Sequence, residues 1–259
     1  MAKDKERLDV LLVERGLVET RARARAHIMA GEVTVDGVRV DKAGTQISRS
    51  VQIELAAPMP YASRGGYKLA GALEQFGLDV ADRVAADIGA CTGGFTDVLL
   101  QRGAARVYAI DVGQGQLVWK LRQDERVVVM ERTNARYLDS LLEPVSLVVI
   151  DVSFISLKLI LPAVRKWLSA DADVVALIKP QFEAGPESVG KGGIVRDAAV
   201  RRAVLEDLLG WANEQDWSVN GLIQSPIQGT DGNIEYLAWL RSTQQEGSDI
   251  AILIDSVLS

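Results

Sequence analysis

The sequence has 259 residues, 48% hydrophobic and 25% charged, with a formal net charge of −6. This length suits one large domain and a small module. The only cysteine is Cys91, which excludes an internal disulfide and a cysteine-based zinc cluster. No apolar run approaches the roughly 20 residues that span a bilayer, and the first residues lack the apolar stretch of a signal peptide. We therefore expect a cytoplasmic protein that is a monomer or weak dimer and binds no metal.

Basic residues are concentrated at the N-terminus. Residues 1–64 contain 11 Lys and Arg against 9 Asp and Glu, whereas residues 65–259 contain 18 against 26. Arg21, Arg23 and Arg25 occupy every second position of one segment in this basic part. A basic head on an acidic body is typical of a module that binds phosphate groups. The same arginines would also suit a solvated helix face.

The first elements along the chain are two short helices. Residues 7–16 place three leucines on one face, and Gly16 is a suitable end for that helix. Thr20 is a suitable N-cap for a second helix that ends at Gly31. Residues 32–40 then alternate around Asp36–Gly37, which predicts a two-residue hairpin.

These elements, with a further strand at residues 51–55, resemble the S4 RNA-binding domain. The positions that carry this resemblance are Arg21, Ala24, Ile28, Gly31, Val33, Val35, Asp36 and Gly37. Thr20 stands where serine is usual in that family and keeps the capping hydroxyl. The resemblance implies that residues 1–57 dock on structured RNA. The RNA-binding side chains expected from this part of the chain are those of Arg7, Arg21, Arg25, Lys42 and, from the linker, Arg64.

The rest of the chain follows a linker at residues 58–64 and predicts a doubly wound α/β domain at residues 65–245. Strands are predicted within residues 83–89, 105–113, 127–130, 145–151, 173–179, 217–224 and 235–240. Helical segments alternate with the first five strands, one of them at residues 157–168, so a mostly parallel sheet is expected. The last two strands have only a short connection, so the seventh should be antiparallel. This arrangement resembles class I methyltransferases. Residues 246–259 should form a terminal helix.

A glycine-rich loop at residues 87–96 follows the first strand and opens a helix. It matches neither the usual dinucleotide motif nor a phosphate-binding loop of ATPases. Such a loop lets the backbone approach a ligand, although it can also be a purely structural turn. Together with Asp111, which suits a ribose diol, the loop resembles an S-adenosylmethionine site. The cofactor residues expected are Asp87, Gly89, Ala90, Gly93, Gly94, Phe95, Asp111, Val112, Asn134 and Asp151.

Four charged residues lie where elements of the sheet begin or end: Lys68, Asp151, Lys179 and Glu235. The carboxyl ends of parallel strands line the crevice where such sheets bind ligands. This order of residues resembles the catalytic tetrad of the FtsJ-like RNA 2′-O-methyltransferases. The whole chain resembles the TlyA (haemolysin A) family of ribosomal RNA methyltransferases. That resemblance implies methyl transfer to a cytidine 2′-hydroxyl in 16S or 23S ribosomal RNA, or in both.

The sequence leaves the role of Lys179 open. Two carboxylates would favour its protonated form, whereas burial and Lys68 would favour the neutral amine. Lys179 is therefore either the base or an orienting cation. Phe154 and Phe182 follow the strand ends, where they would either stack on an RNA base or pack in the core. Two other functions are alternatives: an inactive ribosome-binding scaffold, and a membrane-active haemolysin, which the composition disfavours.

Overall fold

The computed structural model describes residues 5–55, 59–190, 192–229, 231–242 and 247–258. The chain forms two compact units, Met1–Pro60 and Tyr61–Ser259. The bounds expected from the sequence at residues 57–58 and 245–246 fall outside the described ranges. No helix within those ranges combines the length and apolar character needed to cross a membrane.

Twelve strands and nine α-helices occur in the described ranges. The strands are β1 (Lys5–Arg7), β2 (Val33–Val35), β3 (Val38–Arg39), β4 (Gln46–Ser48), β5 (Ile53–Leu55), β6 (Val84–Ile88), β7 (Arg106–Ile110), β8 (Val127–Met130), β9 (Val145–Ile150), β10 (Leu168–Ile178), β11 (Ser218–Gln224) and β12 (Tyr236–Arg241). The helices are α1 (Leu8–Glu14), α2 (Arg21–Ala30), α3 (Gly65–Gln75), α4 (Gly94–Gln101), α5 (Trp119–Arg122), α6 (Leu161–Val164), α7 (Pro180–Glu183), α8 (Ala198–Glu214) and α9 (Ile250–Leu258).

The first unit packs α1 and α2 around a small apolar core. Leu8, Leu12 and Ile28 are fully buried in it. The Thr20 hydroxyl accepts a hydrogen bond from the backbone N–H of Arg23 at 3.2 Å, so it caps α2 as predicted. The hairpin of β2 and β3 is also confirmed, with β5 on the other edge of β2. The pairing of β1 with β4 was not predicted.

The second unit is built on one seven-stranded sheet. Its strand order is β11-β12-β10-β9-β6-β7-β8. The pairs from β10 across to β8 are parallel, and β12 is antiparallel to both of its neighbours. This confirms the predicted class I methyltransferase fold. Helices cover both faces of the sheet and form two apolar cores, so the site is left at the strand ends.

The prediction of a helix spanning residues 157–168 is wrong. The structure has a 3-10 turn at Leu157–Leu159, the one-turn helix α6, and a second 3-10 turn at Arg165–Trp167. Pro162 lacks a backbone N–H and its ring clashes with the carbonyl four residues earlier, so an α-helix cannot continue through it. Leu168 instead starts β10, which begins five residues earlier than expected.

Candidate active site

Two cavities meet at the C-terminal ends of the parallel strands. One has a volume of about 340 Å³ and contains all four residues of the predicted tetrad in its wall. The other, of about 510 Å³, extends along β6 and β7 to Asp111 and Asn134. Four residues line both cavities: Gly89, Cys91, Asp151 and Ser153. A molecule in one cavity can therefore touch a molecule in the other beside Asp151.

Asp151 and Lys179 form an ion pair at this junction. Asp151 directly follows β9 and Lys179 directly follows β10, and these neighbouring strands are parallel, so both side chains lie at the same edge of the sheet. Lys179 Nζ lies 2.6 Å from Asp151 Oδ1. It also donates a hydrogen bond of 3.0 Å to Ser153 Oγ. An ammonium has three donors, and Ser153 is the only one of these two neighbours that takes one in a hydrogen bond, since the contact with Asp151 is an ion pair without hydrogen-bond geometry.

Lys68 and Glu235 form a second ion pair in the same cavity. Lys68 lies in the first turn of α3, Glu235 directly precedes β12, and Lys68 Nζ donates to Glu235 Oε2. Both residues are buried, with exposed fractions of 8% and 3%. The tetrad is thus two lysine–carboxylate pairs. Breaking either pair would leave a poorly solvated charge, which is strongly unfavourable.

The glycine-rich loop packs tightly against its protein neighbours. A Cβ on Gly89 would lie 2.3 Å from the backbone oxygen of Asp151, and one on Gly94 would lie 2.2 Å from Ser63 Oγ. Gly93 has a φ of 97° and faces the side chain of Leu121. Gly89 thus lets the loop press against the backbone of Asp151, whereas Gly93 and Gly94 leave room for the side chains of Leu121 and Ser63. Of the other predicted loop residues, Ala90 and Phe95 are buried.

Asp87 is a fully buried carboxyl group beneath this loop. Its Oδ2 accepts a hydrogen bond of 2.7 Å from Thr96 Oγ1. Its Oδ1 has no hydrogen-bond partner among the described residues. Burial raises the pKa of Asp87 to about 7, and the negative charges of Asp151 and Asp111 act in the same direction. Asp87 does not line either cavity.

The remaining predicted cofactor residues line the larger cavity. Asp111 accepts hydrogen bonds from the backbone N–H groups of Cys91 at 2.8 Å and Gly113 at 2.6 Å. These bonds hold the carboxylate beside the loop and leave other lone pairs free. Val112 is 69% exposed. Asn134 is exposed and its side chain accepts from the N–H of Arg136.

An aromatic pair stands beside the tetrad. Phe154 and Phe182 have ring centroids 4.8 Å apart. Phe154 is 90% exposed and has a φ of 62°, a conformation that is unfavourable for a bulky side chain. The core-packing alternative therefore does not hold for Phe154. Arg64 lies in the wall of the smaller cavity, and its guanidinium forms no hydrogen bond or ion pair with any described residue.

Three of the predicted RNA-binding residues converge in the N-terminal unit. Arg7, Arg21 and Arg25 all contact the carboxylate of Asp9, which is fully buried. Lys42, the fourth such residue in this unit, is exposed. No local pattern in the sequence identifies Asp9 as their shared partner.

Three further residues near the tetrad were missed. Ser153 contacts Lys179, as described above. Glu183 accepts hydrogen bonds from Ser156 Oγ at 2.6 Å and the Leu157 N–H at 2.8 Å, so it joins α7 to the loop after β9. Asn233 binds the Val195 N–H at 3.0 Å and the Gly193 carbonyl at 2.9 Å. The only signal for Ser153 and Asn233 in the sequence is that each lies two residues from a carboxylate of the tetrad, Asp151 and Glu235 respectively.

The comparisons with known proteins agree with this fold. The family described as FtsJ-like methyltransferase matches residues 61–242, and the S4 domain matches residues 6–53. The Bacillus subtilis protein YqxC is 52% identical over 96% of this chain and 91% of its own length. The 16S/23S rRNA (cytidine-2′-O)-methyltransferase TlyA of Mycobacterium tuberculosis is 46% identical over 97% of this chain and 95% of its own.

A solved structure shows the same likeness. A Streptococcus thermophilus protein that bears the name hemolysin is 50% identical, with a TM-score of 0.77 over 99% of this chain and 95% of that one. The fold and site define a class I methyltransferase. The chain belongs to the FtsJ-like methyltransferase family and carries an S4 domain at its N-terminus.

Proposed function

We propose that this protein transfers a methyl group from S-adenosylmethionine to the 2′-hydroxyl of a cytidine in ribosomal RNA. The observation that carries the proposal is the Asp151–Lys179 ion pair, which lies where the two cavities meet. A methyl donor in the larger cavity and a ribose in the smaller one would place their reacting atoms beside this pair. The rRNA (cytidine-2′-O)-methyltransferase TlyA, 46% identical, supports the choice of substrate.

The larger cavity fits S-adenosylmethionine. Asp111 presents a carboxylate for the two ribose hydroxyls, and Val112 and Asn134 offer apolar and polar edges for an adenine. The predicted role of Asp87 as partner of the methionine ammonium is not supported, because this fully buried carboxyl lines neither cavity. When bound, the cofactor supplies an electrophilic methyl group on a sulfonium.

The tetrad would prepare the attacking oxygen. A ribose hydroxyl is a weak nucleophile at neutral pH, so the protein must align it and help remove its proton. The ion pair with Asp151 and the hydrogen bond to Ser153 hold Lys179 in the wall of the smaller cavity, where its ammonium has further donors to offer. We propose that Lys179 contacts the target hydroxyl in this way. Lys68 and Glu235 line the same cavity and keep the site polar without a net charge of their own.

The aromatic pair and the basic residues would hold the RNA. An exposed Phe154 offers a stacking surface for a base that has left its helix, with Phe182 supporting it from behind. Arg64 lines the smaller cavity, has no ion-pair partner among the described residues, and suits a phosphate. In the N-terminal unit the arginine cluster and Lys42 would bind the RNA backbone.

Methyl transfer from labelled S-adenosylmethionine to purified ribosomal subunits tests the proposal. Nuclease digestion and nucleoside mass analysis should yield 2′-O-methylcytidine, and Lys179→Ala should lose it. Label on a base would contradict the assignment of the tetrad. Cofactor binding and ribosome binding without label would instead identify an inactive scaffold.

A further inference from the structure

The buried carboxylate of Asp9 lies at the centre of the basic surface of the N-terminal unit. It directly follows Leu8 in α1 and is fully buried. Arg7 donates to it through Nε at 2.9 Å and through Nη2 at 3.2 Å. Arg21 Nη2 lies 2.9 Å from it, and Arg25 Nε lies 3.2 Å from it. One carboxylate therefore anchors three guanidinium groups from two elements.

The anchored arginines stay available to a ligand. Their side chains are 40%, 51% and 53% exposed, for Arg7, Arg21 and Arg25 respectively. Each guanidinium carries five N–H donors, of which Asp9 takes two from Arg7 and one from each of the other two. Within the described ranges, most of their donors therefore have no acceptor. The three charges exceed that of Asp9, so the cluster stays cationic.

The surrounding charges do not cancel the cluster. Glu6 lies beside the cluster: its Oε1 accepts a hydrogen bond of 3.0 Å from the backbone N–H of Arg7, and its Oε2 pairs with Arg49 at 3.0 Å. Glu19 pairs with Arg23 on the exposed surface. The hydrogen bond from Arg7 holds the pKa of Asp9 well below its usual range, with Arg21 and Arg25 acting in the same direction. Asp9 is thus a permanent anion on a surface that should bind an anion.

We infer that Asp9 is a positioning residue for RNA binding: it fixes Arg7, Arg21 and Arg25 in the arrangement that contacts the RNA backbone. A free arginine loses side-chain entropy when it binds phosphate, and a preorganised one loses less. The inference rests on the proposed function, because it assumes that RNA is the ligand. Its distinctive consequence is the direction in which RNA affinity changes when the charge of Asp9 is removed. Removing this negative charge should weaken RNA binding, although charge alone would strengthen it.

The test compares Asp9→Asn with Glu19→Gln. Both remove one negative charge that pairs with arginine, but Glu19 sits in an exposed pair with Arg23 alone. Binding to purified ribosomal subunits is measured over a range of salt concentrations. Asp9→Asn should raise Kd about tenfold or more and flatten the salt dependence, whereas Glu19→Gln should bind as well as the wild type or better. Equal or tighter binding by folded Asp9→Asn would overturn the inference.

Two further measurements separate positioning from general damage. Hydrogen exchange in α1 and α2 checks that Asp9→Asn keeps the fold. If it does not, Arg21→Lys serves in its place, since it keeps the charge and removes the guanidinium. Arg21→Lys should weaken binding, and unchanged affinity would contradict the inference. Because the readout is binding, a wild type that binds but does not methylate would refute the proposed function and leave this inference standing.

Discussion

Lys179 Nζ lies 2.6 Å from Asp151 Oδ1, and the same ammonium donates to Ser153 Oγ at 3.0 Å. Asp151 and Ser153 line both cavities, whereas Lys179 lines only the smaller one. These two contacts thus hold the lysine on the side where we place the ribose. Since the pair is largely buried, with side chains 11% and 22% exposed, its electrostatic interaction is stronger than that of an exposed pair.

Lys179→Ala should lower kcat at least about a hundredfold, because the group proposed to align the hydroxyl and stabilise its developing negative charge is lost. Binding of S-adenosylmethionine, measured by calorimetry, should change little, since Lys179 does not line the larger cavity. Lys166→Ala is the matched control, as Lys166 forms an exposed pair with Asp139. Full turnover by Lys179→Ala would remove this lysine from the mechanism.

Ser153→Ala should lower kcat by about tenfold, the usual effect of losing one hydrogen bond to a charged group. The KM for RNA should stay near that of the wild type, because the serine acts on the orientation of Lys179. Ser153→Thr retains the hydroxyl and should recover most of the activity. A rise in KM alone, or the same loss in both variants, would show that the hydroxyl does not position the lysine.

The buried carboxyl of Asp87 should cost stability at high pH. Its pKa is raised above the ordinary value of 3.8, so the folded chain holds this proton more tightly than the unfolded chain. That advantage is complete below about pH 4 and is lost as the pH rises through about 7. Asp87→Asn should therefore stabilise the protein at pH 8, by roughly 2–4 kcal/mol, and by less near pH 5. Thermal unfolding at both pH values tests this; a less stable variant at pH 8 would contradict it.

Phe154→Ala should raise the KM for RNA about tenfold through loss of base stacking. The free energy of unfolding should change little, because the ring is 90% exposed. Leu142→Ala removes a comparably exposed side chain, 87%, from the same unit and should leave KM unchanged. If Phe154→Ala instead destabilises the fold and leaves KM unaltered, the aromatic pair is a packing feature.

The order of elements and the position of the tetrad were predictable from the sequence. Apolar runs of strand length end at Asp151 and Lys179, and such runs separated by helices form neighbouring parallel strands. Their ends therefore meet. The capped helix after Thr20 and the hairpin at Asp36–Gly37 were also predictable, because each depends on a few adjacent residues.

The pairing of charges was decided only by the tertiary structure. The strand β12 inserts between β10 and β11 with Ile178 opposite Tyr236, which brings Glu235 to the end of β10. Whether Glu235 then pairs with Lys179 or with Lys68 depends on the position of α3, which carries Lys68. Lys68 and Glu235 are 167 residues apart in the chain. Local patterns carry no information about such a contact. The same holds for Asp9. Its burial beside Arg21 and Arg25 follows from the packing of α1 on α2 and cannot be predicted from the residues next to it in the sequence.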